Sequence, residues 1–336
     1  MERILVIQLR QLGDILLTTP CLSALRKEYP AAKIAFLSHA MGRLIIDQNP
    51  DVDEHLTYGS HDTLREHLNL LGDIRSRKFD LVFDFMDNPR SALYTLASGA
   101  KHRVGFESVR RWVYNTRVPR TGSYSYIVGG KYTLLEGFHV KAREMRLVLP
   151  WFEQHVQPTR NFAARHLGFA EAPLRVILSP THRREARRWP MARFAELADR
   201  LVRDLGASVV WLWGPGEEQD IEAAIGLCQE PSLKAPKTTF REMAALIANC
   251  DVFIGNSNGP SHVAVAVDTP SLQLHGPTYG VSWSPNTPSH RYLQGQSMED
   301  LSVASVLECL GEMKPSVMSR VSRRQACGFR THWQGP

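Results

Sequence analysis

Three stretches of this sequence hold residues whose types and spacing suit chemistry on an anionic ligand. The first is Gly255-Asn256-Ser257-Asn258-Gly259-Pro260, followed by Ser261 and His262. Backbone N–H groups at a helix start lack intrahelical partners and carry partial positive charge, so such a turn favours a phosphate. Gly255 and Gly259 allow close backbone approach, and Pro260 suits a first helical turn. The plain alternative is a turn chosen for geometry alone, because one glycine-rich turn is a weak signal. His262 is either a packed, hydrogen-bonded residue or a donor to a phosphate. The second stretch, Thr181 to Pro190, carries His182 and four arginines, Arg183, Arg184, Arg187 and Arg188. Guanidinium forks suit bidentate clamping of a diphosphate; a solvated basic loop is the competing reading. The third is Gly13-Asp14. Asp14 either caps a helix or offers a carboxylate as a base, and a base there needs burial to offset the helix terminus, which lowers a carboxylate's pKa.

A fourth group is less defined. Arg110, Arg111, Arg117 and Arg120 interleave with Trp112 and Tyr114. They read as a flap for an acceptor or a membrane surface, or as a mobile solvated loop. His61 and His67 lack a third partner at metal-ligand spacing, so no metal is expected.

The elements that must position these residues alternate. Apolar runs at 4–7, 33–37, 55–58, 81–85 and 103–106 read as strands, and 14–28, 41–48, 64–77 and 91–98 as helices. Near-continuous apolar strands between helices predict a doubly wound parallel sheet. The stretch 107–130 reads as an extended loop, and 139–152 as helix. Regularity fades over 154–173. It resumes with strands at 174–178 and 208–213, helices at 190–205, 217–228 and 240–248, the strand–turn–helix–strand of 251–278, and a helix at 301–310. Two domains are expected, 1–165 and 172–313, with a basic, disordered tail over 314–336. Two sheets of one architecture place a ligand crevice at their carboxyl edges.

Composition narrows the function. Lys and Arg number 40 against 34 Asp and Glu, a net charge of +6. That favours phosphates, acidic glycolipid or a membrane surface and is too weak and dispersed for nucleic acid. The cysteines at 21, 228, 250, 309 and 327 form no CxxC pair, which argues against a zinc site or disulfide framework. MERILVIQLR is too short an apolar run for a signal peptide, and no stretch reaches spanning length. A cytoplasmic protein that touches a membrane without crossing it is expected. QLRQLGD is not the GxGxxG of dinucleotide dehydrogenases, and neither GxxxxGK[ST] nor GxSxG occurs.

ILVIQLRQLGDILLTTPCLSALRKEYP resembles the amino terminus of glycosyltransferase family 9, the ADP-heptose:lipopolysaccharide heptosyltransferases. RRWPMARFAELADRL, WGPGEE and TTFREMAALIANCDVFIGNSNGPSHVAVAVDTPSLQLHGPT are similar to family segments in the same order, as is KHRVGF. The resemblance runs from residue 4 to about 310. It implies a GT-B architecture, two Rossmann-like domains facing across a cleft, with the final helix crossing back to the first. It implies inverting transfer of a heptose from ADP-L-glycero-β-D-manno-heptose to an inner-core sugar of lipopolysaccharide, with no required cofactor and the role of a divalent ion left open. By position, Asp14 matches the catalytic base. Thr181, His182, Arg187, Glu218, Thr238, Ser257, Asn258, Gly259, Pro260 and His262 match donor-binding positions. Arg10, Gly13, Arg110, Arg111 and His139 fall to the acceptor. Ser257 stands where the family usually has Asp, Asn258 where it has Ser or Thr, and Gln8 where many members have a basic residue. The Ser257 change leaves room for another nucleotide-sugar, or for a non-catalytic nucleotide or glycolipid binder.

Overall fold

The computed structural model describes residues 1–59, 63–120, 126–141 and 144–333; His61 lies outside them. The chain forms two compact units that divide between Leu149 and Pro150, upstream of the expected boundary.

The first unit is one parallel sheet of six strands: β1 (Arg3–Ile7), β2 (Lys33–His39), β3 (Glu54–Tyr58), β4 (Leu81–Asp84), β5 (His102–Phe106) and β6 (Thr116–Val118). Their spatial order is β3-β2-β1-β4-β5-β6. The central strands β1 and β4 are buried almost throughout, as strands covered by helices on both faces must be. The second unit repeats the arrangement with β7 (Leu174–Ser179), β8 (Ala207–Trp211), β9 (Leu233–Lys234), β10 (Val252–Asn256), β11 (Ser271–His275) and β12 (His290–Gln294). Its order is β12-β11-β10-β7-β8-β9, again all parallel. Counted within each unit, both orders are 3-2-1-4-5-6. The direction of winding therefore reverses between β1 and β4 and between β7 and β10, and ligands of such sheets bind at those points.

Several sequence readings are corrected. The single helix expected over 14–28 is two, Leu12–Leu16 and Thr19–Glu28. Pro20 has no N–H to give the carbonyl of Leu16, and the Thr19 hydroxyl donates to it instead at 2.7 Å. The stretch 107–130 is no free flap: it supplies edge strand β6 and begins the helix Ile127–Glu136, while 121–125 fall outside the described residues. Among the described residues of 139–152 there is no helix. The preceding helix stops at Gly137, and His139 adopts φ +62 in the turn that follows.

The carboxyl-terminal region differs most. Helix Val303–Glu312 packs Val303, Val306, Cys309 and Leu310 into the second unit's own core. The expected disordered tail is a helix, Lys314–Cys327. Its buried face is Val317, Arg320 and Val321. Arg320 donates to the carbonyls of Ala248 and Cys250. Arg324 pairs with the fully buried Asp251 at 2.9 Å, and Asp251 also accepts the Arg175 N–H at 2.8 Å. A stretch that reads as solvated charge is thus bound through its arginines, because a buried carboxylate and unpaired carbonyls await them. Beyond the helix, Arg330 and Asn249 exchange two hydrogen bonds, and the Trp333 N–H donates to the Trp151 carbonyl at 2.8 Å.

Candidate functional site

Each unit gathers polar side chains at its winding reversal. In the second, β7 ends at Ser179 and β10 at Asn256. Gly255 pairs with Ser179, where a Cβ would lie 2.6 Å from the Ser179 carbonyl oxygen, so a glycine is required for the strands to close. Helix Gly259–Ala266 begins directly after β10. Asn258 caps it, its Oδ1 accepting the Ser261 N–H at 3.2 Å. The same side chain's Nδ2 reaches Ser179 Oγ at 3.0 Å and the Thr181 carbonyl at 2.9 Å. Asn256, fully buried, accepts the Trp189 N–H at 3.0 Å and donates to the Pro180 carbonyl. Two asparagines therefore tie both ends of the arginine loop to the loop of the helix.

The arginine loop is anchored rather than free. Trp189 is buried and its Nε1 donates to the Leu301 carbonyl at 2.9 Å. Arg187 closes a short 3₁₀ turn, Glu185–Arg187, and is half-buried. Burial, and then neighbouring Arg184, lower its pKa, and the charge of an anion arriving there would offset these penalties. His182 Nδ1 takes the Arg184 N–H at 2.9 Å.

His262 is buried, and among the described residues its Nδ1 has no hydrogen-bond partner. Burial holds its pKa down to about 4. His275 at the end of β11 is likewise held at about 4, by burial first and then by His262, Arg187 and His182. At neutral pH both are neutral imidazoles. His262 can therefore give or take a hydrogen bond but brings no positive charge to a phosphate. Charge at this edge comes from the arginines and the helix terminus.

Of the expected donor residues, Thr181, His182, Arg187, Ser257, Asn258, Gly259, Pro260 and His262 meet at this reversal. Ser257 is half-buried, its N–H bound to the Leu274 carbonyl at 3.3 Å. Open space lies where a Gly259 Cβ would point. Glu218 and Thr238 sit elsewhere on the same carboxyl edge. Glu218 opens helix Glu218–Ile225 and holds Lys234 Nζ at 2.7 Å; Thr238 is half-buried in the loop after β9.

In the first unit, Gly13 and half-buried Asp14 lie in the short helix after β1, and Asp14 Oδ2 accepts the Gln11 N–H at 3.2 Å. That bond makes Asp14 a partner in its own helix start, while its half exposure keeps it reachable. Arg10 is exposed, its carbonyl bound by Gln8 Nε2 at 2.7 Å. Gln8 is buried and takes Lys131 Nζ on its Oε1 at 3.0 Å. Lys131 was not legible in sequence: it stands alone in the apolar run IVGGKYTLL. It is buried, with its ammonium 5.4 Å from the centre of the Phe85 ring. Burial lowers its pKa, Asp14 and Cys21 oppose that, and Arg120 adds to it.

A second group missed in sequence lies past β4. Asp84 is fully buried and takes the Tyr114 hydroxyl at 2.7 Å. Asp87 accepts Ser108 Oγ at 2.9 Å, Arg110 Nε at 3.2 Å and Arg120 Nη2 at 3.2 Å. Arg110 is thus turned inward, whereas Arg111 is exposed. His139 is also exposed in its turn.

A family model for glycosyltransferase family 9 (heptosyltransferase) matches residues 68–309. Lipopolysaccharide heptosyltransferase 3 of Escherichia coli is 29% identical over 298 residues, covering 81% of this chain and 83% of that protein. Among solved structures, the glycosyl transferase family 9 protein of Veillonella parvula DSM 2008 superposes with a TM-score of 0.83 at 21% identity, over 95% of this chain and 97% of that one. The E. coli heptosyltransferase WaaC with ADP gives 0.71 at 18%, over 94% and 99%. These likenesses carry the fold: two Rossmann-like units of the GT-B type.

Proposed function

The chain belongs to glycosyltransferase family 9, and from that premise we propose that it moves a heptose from ADP-L-glycero-β-D-manno-heptose to an inner-core sugar of lipopolysaccharide, with inversion. The observation that carries this is the double asparagine tie at β7 and β10, which holds four arginines beside a capped helix terminus. A diphosphate leaving group needs positive charge as its bond breaks, and fixed donors supply it without reorganisation. Arg187 and the Gly259 amide take the diphosphate, with Thr181, His182 and neutral His262 as hydrogen-bonding neighbours. Glu218 and Thr238 serve the nucleoside. Asp14 is the base for the acceptor hydroxyl, with Arg10, Gly13, Arg110 and His139 on the acceptor. One displacement opposite the leaving group inverts the anomeric centre, and no cofactor is required. The acceptor being a glycolipid, the enzyme works on the cytoplasmic face of the inner membrane; among the described residues no helix is long and apolar enough to cross one.

Ser257 favours a second reading. A hydroxyl where the family usually has a carboxylate changes what can hold the donor's sugar, so another nucleotide-sugar is the alternative. Calorimetry of ADP-heptose against ADP, UDP-sugars and GDP-sugars, on wild type and Asp14→Asn, separates the two. Selective ADP-heptose binding that survives Asp14→Asn, with turnover on truncated lipopolysaccharide lost, is expected. Preference for a different nucleotide-sugar selects the second reading, and absence of any nucleotide-sugar binding refutes both.

A further inference from the structure

We propose that the segment Ser108–Tyr114, with the adjoining starts of helices Leu64–Ser76 and Pro89–Ser98, is a docking face for an anionic lipid bilayer. Trp112 is 67% exposed and Val109 85%. Of the other six tryptophans, Trp151, Trp189 and Trp211 are fully buried, and Trp213, Trp283 and Trp333 are half-buried. The run of i to i+3 hydrogen bonds from Ser108 to Tyr114 sets Val109 and Trp112, three apart, on one side. Val113 turns the opposite way and is buried with Ala92 and Tyr114.

This apolar tip is held rigidly. Ser108 and Arg110 are bound to buried Asp87, and the Tyr114 hydroxyl to buried Asp84. The Tyr114 ring fills the space above Gly105, where a Cβ would lie 2.4 Å from it. The tip continues onto the neighbouring helices, which touch where the Tyr94 hydroxyl meets His67 at 3.5 Å. There Leu64 is 76%, Leu68 57% and Leu93 51% exposed. An ordered, exposed set of large apolar side chains marks an interaction surface.

Charge decides the partner. Arg65, Arg90, Arg111 and Arg117 are exposed around the apolar side chains, outnumbering the exposed carboxylates Glu66 and Glu107. Arg110 and Arg120 share the single carboxylate of Asp87, leaving that trio net positive. Tryptophan among arginines suits the headgroup boundary, with rings and leucines in the acyl region and guanidiniums on lipid phosphates. A second copy of the chain fits badly, because a two-fold contact would set this positive patch against the same positive patch. The inference deepens the reading that the acceptor is a membrane glycolipid, and it is tested without acceptor or donor.

The full-length protein is sedimented with vesicles of phosphatidylglycerol and phosphatidylcholine, and with phosphatidylcholine alone. Binding to the anionic vesicles is expected, weakening with salt, with a blue shift of Trp112 emission. Val109→Ser combined with Trp112→Ser should abolish the shift and weaken binding at least about ten-fold. Arg111→Glu, a change of two charges at the surface, should weaken it roughly 30-fold. These side chains are exposed, so unchanged thermal melts confirm folding. No binding to anionic vesicles, or variants that bind like wild type, overturns the proposal. So does a concentration-dependent dimer that Trp112→Ser dissolves, which would give the face to a second copy. Failure of donor binding leaves the vesicle result standing, so the two readings fail separately.

Discussion

Acid should destabilise the second unit before carboxylates begin to protonate, because three of its histidines are buried neutral. His262, His275 and His290 are each held near pKa about 4, against an ordinary 6.5. All are at most 8% exposed, and burial is the first cause in every case. With the folded value depressed, the unfolded chain binds protons first. Stability is intact above pH 6.5, falls as the pH drops toward 4, and levels off below. Between pH 7.5 and 5.5 each histidine should cost about 1.3 kcal/mol, so the three together cost at most about 4 kcal/mol. The sum is an upper bound, since His262 contributes to the shift of His275. All tryptophans except Trp112 lie after Leu149, so tryptophan emission reports mainly on this unit. Urea unfolding followed by emission at pH 7.5, 6.5 and 5.5 gives the slope directly. His290→Gln, which removes the partner of Ser271 Oγ at 2.9 Å, should lower stability at pH 7.5 yet flatten the slope by about one proton. A midpoint unmoved between pH 7.5 and 5.5, or an unaltered slope in His290→Gln, would refute the reasoning.

Three further outcomes are expected. Asn256→Ala strips partners from the Trp189 N–H and the Pro180 carbonyl; it should cost about 2–5 kcal/mol in urea unfolding and speed proteolysis within 181–188. Arg324→Ala leaves the Asp251 carboxylate buried beside Arg175 without its ion-pair partner; a loss of about 3–5 kcal/mol is expected, and Arg324→Lys should recover only part because the contact is bidentate. Lys131→Met releases Gln8 from its contact and loosens the loop of Asp14; on the proposed mechanism, turnover should fall on the order of 10–100-fold while ADP affinity in calorimetry stays unchanged.

What the sequence reveals follows from how local each feature is. Ile4–Ile7 and Val252–Ile254 read correctly as buried strands because apolar runs between turns need no knowledge of distant residues. The turn and helix at 255–266 were legible for the same reason. Strand order was not, since pairing β1 with β4 joins residues almost eighty apart. Thr116–Val118 and His290–Gln294 were overlooked as strands because each is short, polar and made regular only by its neighbour. Asp87 carries no local signal. Its importance comes from two arginines more than twenty residues away. The tail failed most completely because charge runs are usually solvated, and only the structure shows Asp251 waiting for Arg324.

That last contact also bears on how the protein is made. The chain leaves the ribosome amino end first, so the six strands of the first unit can pair long before residue 314 exists. The second unit cannot be finished in the same way. Asp251 and the carbonyls of Ala248 and Cys250 are synthesised some seventy residues before the arginines that satisfy them. Until Arg324 has been made and has left the ribosome, the second sheet carries a buried acid without its counter-ion. A premature stop between residues 312 and 320 would therefore leave the strands paired and the seam open, a product suited to chaperone capture and degradation rather than to work.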